Sequence, residues 1–224
     1  MKKLERLDEA RAPDGTVLTL FRHDGAYSIR VDGVELMSTR RHHSEETLAE
    51  LVCVPLRERR GARVLIGGLG FGFTLQAALR SLAPDARVVV AEIVAAVIGW
   101  NRNPSYALSG ASLDDPRVEL RQEDVAKVLR RNKDTFDAIM LDVDNGADAL
   151  THAGNAQLYR HTGIQMAMAA LRSGGVLAYW SAQGDASFEE ALHDAGLVVD
   201  VTKVRAHTTS GTWHTLFVAR APLR

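Results

Sequence analysis

A single cysteine, Cys53, in 224 residues leaves no partner for an internal disulfide and rules out a zinc site built from cysteines alone. It lies in the apolar run Leu51-Val-Cys-Val54, the surroundings of a buried structural thiol. Charge of one sign is also missing. The 27 Lys and Arg balance 28 Asp and Glu to a formal net charge of −1, without the basic excess that a nucleic-acid backbone selects. The cluster Arg57-Glu-Arg-Arg60 is short and mixed, and reads as the solvated end of a helix. No apolar run approaches the ~20 residues needed to cross a bilayer, and Met1-Lys-Lys-Leu-Glu-Arg6 has no apolar core of the kind a leader needs. The expectation is a cytoplasmic protein without nucleic-acid or membrane partners. Internal repeats, low-complexity segments and an N-P-P-Y-like motif are absent too. What remains, 46% hydrophobic and 25% charged, is the composition of one globular domain with a small appendage.

The most informative stretch is Arg63-Val-Leu-Ile-Gly-Gly-Leu-Gly-Phe-Gly-Phe73. It reads as an apolar strand entering a glycine loop, Gly68-x-Gly70-x-Gly72, followed by the helical pattern of residues 74–80. Such glycines permit a tight turn and a close backbone approach to a ligand, and the next helix offers free N–H groups and its positive end. About 20 residues on, Ala86-Arg-Val-Val-Val-Ala-Glu92 reads as a second buried strand ending in an acid, where a nucleotide ribose finds a carboxylate.

The chain divides into a small N-terminal β region, residues 1–43, and a nucleoside-binding domain, residues 44–224. In the first, residues 16–22, 27–31 and 34–37 are short strands separated by His23-Asp-Gly25 and Asp32-Gly33, the latter a strong hairpin signal. Ser44 is placed to cap a helix whose first turn carries Glu45 and Glu46, the correct sign for the helix dipole. From residue 62, strands 63–67, 87–92, 117–121, 136–141 and 175–180 alternate with helices 73–82, 94–102, 124–131, 156–172 and 186–195. Near-continuous apolar strands in βα units imply a parallel sheet covered on both faces. Strands 197–205 and 213–219 are joined by His207-Thr-Thr-Ser-Gly-Thr212, too short for a helical crossover, so the last strand is expected to run antiparallel. A seven-stranded, mostly parallel α/β sheet with the last strand reversed is the Rossmann-like arrangement of class I S-adenosylmethionine (SAM)-dependent transferases.

Ligands of open parallel sheets sit beyond the carboxyl ends of the strands. Those ends carry Gly68–Gly72, Glu92, Glu123-Asp124, Asp142-Val-Asp-Asn145 and Trp180-Ser-Ala-Gln183. Carboxylates there suit ribose hydroxyls, an exocyclic amine and a sulfonium, although Asp124 is equally placed to cap the helix that begins at Val125. Among possible proton acceptors, Asp142 and Asp144 rank above His152, Tyr159, His161 and His207. Trp180, Trp213 and His214 are candidates for an acceptor pocket or for core and rim packing.

Four segments resemble the spermidine synthase family of polyamine aminopropyltransferases and its methyltransferase-like relatives. They are the hairpin Val31-Asp-Gly-Val-Glu-Leu-Met-Ser38 with the glycine loop after it, Val90-Ala-Glu-Ile93, Asp115-Pro-Arg-Val-Glu-Leu-Arg-Gln-Glu-Asp124, and Phe136-Asp-Ala-Ile-Met-Leu-Asp142. The resemblance implies a nucleoside site formed by Gly68, Gly70, Gly72, Glu92, Ile93, Asp124, Val125 and Asp142, with Asp142, Asp144 and Asn145 at the reacting centre. It also implies a homodimer and no metal. Four departures accompany it. The acid that binds the amine of decarboxylated SAM falls at Phe71, and the general base falls at Asn145. The first helix, Glu45-Glu-Thr-Leu-Ala-Glu50, offers no aromatic for a diamine, and a hairpin glutamine is Leu36. An acid at position 71 would repel the carboxylate of intact SAM, and Asn145 takes no proton. The expectation is therefore methyl transfer from SAM to a small-molecule acceptor. The alternatives are aminopropyl transfer from decarboxylated SAM, and a SAM- or methylthioadenosine-binding protein without turnover.

Overall fold

In the computed structural model, residues 4–143 and 155–222 are described. Strands β1 (Glu5–Arg11), β2 (Val17–His23), β3 (Ala26–Val31) and β4 (Val34–Ser38) form a four-stranded antiparallel meander in chain order. The hairpin at Asp32-Gly33 forms as expected, with both residues at positive φ as a tight primed turn requires. Strand β1 is an addition to the sequence reading. Its run Glu-Arg-Leu-Asp-Glu-Ala-Arg is almost wholly exposed, so it shows no apolar alternation. Its place is set instead by pairing with β2 and by the Trp100 indole N–H, which donates to Asp8 Oδ2 at 2.7 Å.

Helix α1 (His43–Cys53) follows, then a 3-10 turn at Val54–Leu56. From there strands β5 (Arg63–Gly67), β6 (Arg87–Ala91), β7 (Val118–Arg121), β8 (Phe136–Leu141), β9 (Leu171–Ser181), β10 (Val198–Arg205) and β11 (Trp213–Arg220) build one sheet in the order β10-β11-β9-β8-β5-β6-β7. All neighbours from β9 to β7 are parallel. Strand β11 is antiparallel to both β9 and β10, between which it inserts. The connecting helices are α2 (Phe73–Ser81), α3 (Ala95–Arg102), α4 (Gly110–Leu113), α5 (Val125–Arg131), α6 (His161–Ala170) and α7 (Ala186–Asp194). This is the Rossmann-like α/β arrangement expected.

The period of two along each strand sorts its side chains between two cores. Val64, Ile66, Val88, Val90, Ala138 and Met140 face one core with α1, α2, α3 and the N-terminal sheet. Leu65, Val89, Ile139, Leu141, Tyr179 and Phe217 face the other with α5, α6 and α7. Cys53 is fully buried in the first, and that burial pushes its thiol up to about 12, which makes it an inert packing group.

Two local expectations need correction. The helix expected over 156–172 is a 3-10 turn at Asn155–Tyr159 followed by α6. Arg160 is extended between them, and a Cβ on Gly163 would meet the Gln157 carbonyl oxygen at 2.3 Å, so the two pieces pack too closely to form one rod. Ser44 does not cap α1. It lies inside the helix, where His42 is the residue before the first turn and makes no side-chain cap bond. The Ser44 hydroxyl is committed elsewhere, as described below.

Candidate functional site

Strand β5 pairs with β6 on one side and β8 on the other, so successive connections leave it in opposite directions. That switch point opens a crevice at the strands' carboxyl ends. The chain there must turn sharply beside β8. Gly68 has φ +88°, and a Cβ on it would lie 2.3 Å from the Asp142 carbonyl oxygen. Only glycine satisfies both conditions.

Two cavities, joined by a shared wall of Leu36, Met37, Gly70 and Asp142, occupy the crevice. The smaller, about 70 Å³, is lined by Gly68, Gly70, Glu92, Ile93, Asp124, Val125 and Asp142. Seven sequence-derived candidates thus meet in one cleft, roofed by Leu18, Leu36 and Met37 of the N-terminal sheet. The larger, about 250 Å³, begins at Gly70, Gly72 and Asp142 and extends past Phe71, Glu45, Trp180 and His214. Asp142 lies in the wall of both.

Glu92 and Asp124 are held by backbone N–H groups, and Asp142 by a side-chain hydroxyl. Glu92, 7% exposed, accepts from Leu69 N–H at 2.9 Å and Val94 N–H at 2.8 Å, and so binds the glycine loop to the start of α3. Asp124 accepts from Ala126 N–H at 2.8 Å and is the N-cap of α5. The capping role weighed for it is real, and its position in the cleft wall comes with it. Asp142 Oδ2 accepts from the Thr74 hydroxyl at 2.7 Å, which ties β8 to the first turn of α2.

The larger cavity brings Trp180 and His214, two of the acceptor-pocket candidates, together with Glu45, which reads in the sequence only as helix-end charge. Ser44 Oγ donates to Glu45 Oε2 at 2.5 Å, lies 2.8 Å from His214 Nδ1, and accepts from Trp180 Nε1–H at 3.0 Å. Trp180 and His214 pack edge to face with centroids 4.6 Å apart. Burial first, and then the negative charge of Asp142, push the Glu45 carboxyl up to about 8. Burial and the positive charge of Arg41 push His214 down to about 4. Arg41 itself pairs with Glu35, also in this wall, so Asp142 gives the cavity its excess negative charge while Glu45 holds its proton up to about pH 8. The pair could have been suspected from an acid in the first turn of the helix that follows the hairpin, but nothing in the sequence places it opposite residue 142.

These shifts predict how stability depends on pH. Between about pH 4.5 and 8 the folded chain keeps a proton on Glu45 that the unfolded chain has released, so this group lowers stability as pH rises through that window. His214 acts oppositely: between about pH 6.5 and 4 the unfolded chain takes up a proton that the folded chain refuses, and stability falls as pH falls. Thermal melts should show the wild type losing stability relative to Glu45→Gln as pH rises from about 4.5 to 8, with no further divergence above that. Equal slopes for the two proteins would contradict the assignment.

Other candidates lie elsewhere. Tyr159 is buried and donates its hydroxyl proton to the Trp180 carbonyl at 2.8 Å. His161 and His207 are exposed. Trp213 is 54% exposed and stacks under the Arg205 guanidinium, 4.4 Å from its ring centre, outside both cavities. Asp144, Asn145 and His152 lie outside the described residues. Among the described residues no cluster of His, Cys, Asp and Glu could hold a metal ion, and no helix is long and apolar enough to cross a membrane.

The chain is similar to polyamine aminopropyltransferase 2 of Pseudomonas aeruginosa, 32% identical over 115 residues that cover 51% of this chain and 32% of that protein. It is similar to the polyamine aminopropyltransferase of a Thermoanaerobacter species, 37% identical over 93 residues covering 41% of this chain and 33% of that one. The matched stretch therefore spans about a third of each curated relative's length. The fold is that of spermidine synthase from Thermotoga maritima, with a TM-score of 0.74 at 20% identity, over 100% of this chain and 75% of that chain. These relatives overturn the expectation of methyl transfer from intact SAM, because the kinship is with aminopropyltransferases. The physical premise of that expectation also fails. Phe71 does line the larger cavity, but Asp142 in the same wall carries a negative charge that Phe71 does not. Residues 42–203 match the family model of the spermine/spermidine synthase domain, and the chain belongs to that family.

Proposed function

We propose that this protein transfers an aminopropyl group from decarboxylated SAM to a small amine. The observation that carries the reading is the pair of cavities joined at Asp142, one walled by the glycine loop and acids that suit a nucleoside, the other by carboxylates that suit a cation. The curated relatives, both polyamine aminopropyltransferases, support it.

The cleft fits the nucleoside on chemical grounds. Gly68 and Gly70 carry no side chain at the cleft wall, so the ligand can approach the backbone there. Glu92 would accept from the ribose hydroxyls, and Asp124 from the adenine amine, while Ile93 and Val125 cover the ring with apolar surface. The sulfonium supplies the electrophile. The negative charge of Asp142 attracts an aminopropyl ammonium and repels the carboxylate of intact SAM, so the selection assigned to an acid at position 71 can come from across the cavity. The same charge draws in the ammonium form of the acceptor. An in-line approach to the carbon beside sulfur needs alignment above all, and closely held walls provide it.

The test separates ligand contact from architecture. Asp124→Asn retains an N-cap of equal quality, yet offers the adenine amine a weaker acceptor. Calorimetric titration with methylthioadenosine should show a loss of about 1–3 kcal/mol in both Asp124→Asn and Glu92→Gln, with the melting temperature of Asp124→Asn unmoved. Wild-type affinity in both variants would remove the nucleoside from this cleft.

A further inference from the structure

We propose that Glu45 is the proton acceptor for the amine substrate, held in place by the Ser44 hydroxyl between Trp180 and His214. This deepens the aminopropyl-transfer reading and rests on it.

The step requires a base. An alkyl ammonium has no lone pair, so its nitrogen attacks only after losing a proton. Glu45 takes that proton. The nitrogen pair then forms the N–C bond to the aminopropyl carbon beside sulfur, the C–S bond breaks, and its electron pair remains on sulfur as a neutral thioether. The product nitrogen keeps its remaining protons, and Glu45 returns its own to water through the open side of the cavity.

Three observations converge on Glu45. It lines the larger cavity together with Asp142, which also lines the nucleoside cleft, so it stands on the acceptor side of the junction. Its carboxylate orientation is fixed by Ser44 Oγ at 2.5 Å. Ser44 is fully buried, and its hydroxyl has one proton and two lone pairs. With that proton given to Glu45, its lone pairs accept from Trp180 Nε1–H at 3.0 Å and from His214 at 2.8 Å. This assignment puts the His214 proton on Nδ1 and leaves Nε2 to accept from Thr212 Oγ1 at 3.2 Å. A neutral His214 is what burial enforces, and it fits a positioning role.

The electrostatics favour the same group. The charged groups facing Glu45 are Glu46 on its own helix, Asp142 from β8, Glu35 from β4 and Arg41 ahead of α1. Arg41 is paired with Glu35, so the unbalanced neighbour is Asp142. A carboxyl raised to about 8 faces an alkyl ammonium near 10, so proton transfer is uphill by only about 10²-fold instead of the roughly 10⁶-fold of an ordinary glutamate. The base is thereby matched to its substrate.

The test uses the full chain with decarboxylated SAM and putrescine or cadaverine, reading release of methylthioadenosine. Glu45→Gln should lose about 10²- to 10⁴-fold in kcat with methylthioadenosine affinity and fold unchanged. The wild-type kcat/KM profile should have an acid limb near pH 8. In Glu45→Gln that limb should vanish, leaving a rate that rises only with ionisation of the amine. Ser44→Ala, which removes the bond that favours the ionised carboxylate, should shift the limb upward. Wild-type kcat and an unmoved limb in Glu45→Gln would overturn the assignment while leaving aminopropyl transfer intact. A wild type that binds methylthioadenosine but consumes no decarboxylated SAM with either amine would overturn both.

Discussion

Gly68→Ala is expected to disable the cleft. The added Cβ would sit 2.3 Å from the Asp142 carbonyl oxygen, closer than any van der Waals contact, and that oxygen is backbone at the end of a fully buried strand. The φ of +88° adds about 1–2 kcal/mol of left-handed strain for a residue with a side chain. Relief requires β8 and the glycine loop to separate, and the junction between the two cavities lies between them. We expect a stability loss of roughly 3 kcal/mol and a loss of methylthioadenosine affinity of at least about tenfold even in protein that remains folded. Gly99→Ala is the matched control. It lies on the exposed side of α3 with nothing within 4 Å of its Cβ position, so it should stabilise by about 0.5–1 kcal/mol and leave binding unchanged. Calorimetric melts and titrations of the two variants check both statements, and equal behaviour of the pair would refute the close-approach argument.

The second large effect lies at the opposite end of the sheet. Asp137, 2% exposed, accepts from the Arg63 backbone N–H at 2.7 Å, from Arg172 at 2.9 Å, and pairs with Arg59 at 2.7 Å. One carboxylate therefore joins β5, β8, β9 and the turn after α1. Asp137→Ala would leave a buried N–H without an acceptor and two cations, Arg59 and Arg172, without their shared carboxylate. The expected cost is about 3 kcal/mol, read as a shifted denaturation midpoint. Methylthioadenosine affinity should be unchanged, because Asp137 begins the strand that Asp142 follows and stands a full strand length away from the cleft. Weakened binding at unchanged stability would contradict this division between a structural and a functional end.

The two ends also differ in how much of them the sequence shows. The parallel strands are legible because each is a run of apolar residues with its own turn chemistry, and the reversed β11 because six residues cannot hold a crossover. The nucleoside wall is legible for a related reason. Its residues follow directly after strands, and the topology of the sheet sends every such end to one place. The acceptor side is legible only in Trp180 and His214, because the rest of it is built from residues far apart in sequence. Glu45 reads as a first-turn acid that complements a helix dipole, and Ser44 as its cap. Only packing of α1 against the ends of β8, β9 and β11 makes them face Asp142, Trp180 and His214. Without that juxtaposition Phe71 and Asn145 look decisive, and they point to methyl transfer. Strand β1 is illegible for the converse reason: its charged side chains suit an exposed edge and leave no periodic signal.

The central claim is that the two joined cavities hold a sulfonium nucleoside and an amine on either side of Asp142. Its most direct test is incubation of the purified chain with decarboxylated SAM, with and without putrescine, followed by separation of the products. The account predicts methylthioadenosine and an aminopropylated amine in equal amounts, formed only when both substrates are present, with intact SAM left unconsumed. Consumption of intact SAM with release of S-adenosylhomocysteine, or no turnover of the decarboxylated form with any amine, would contradict it.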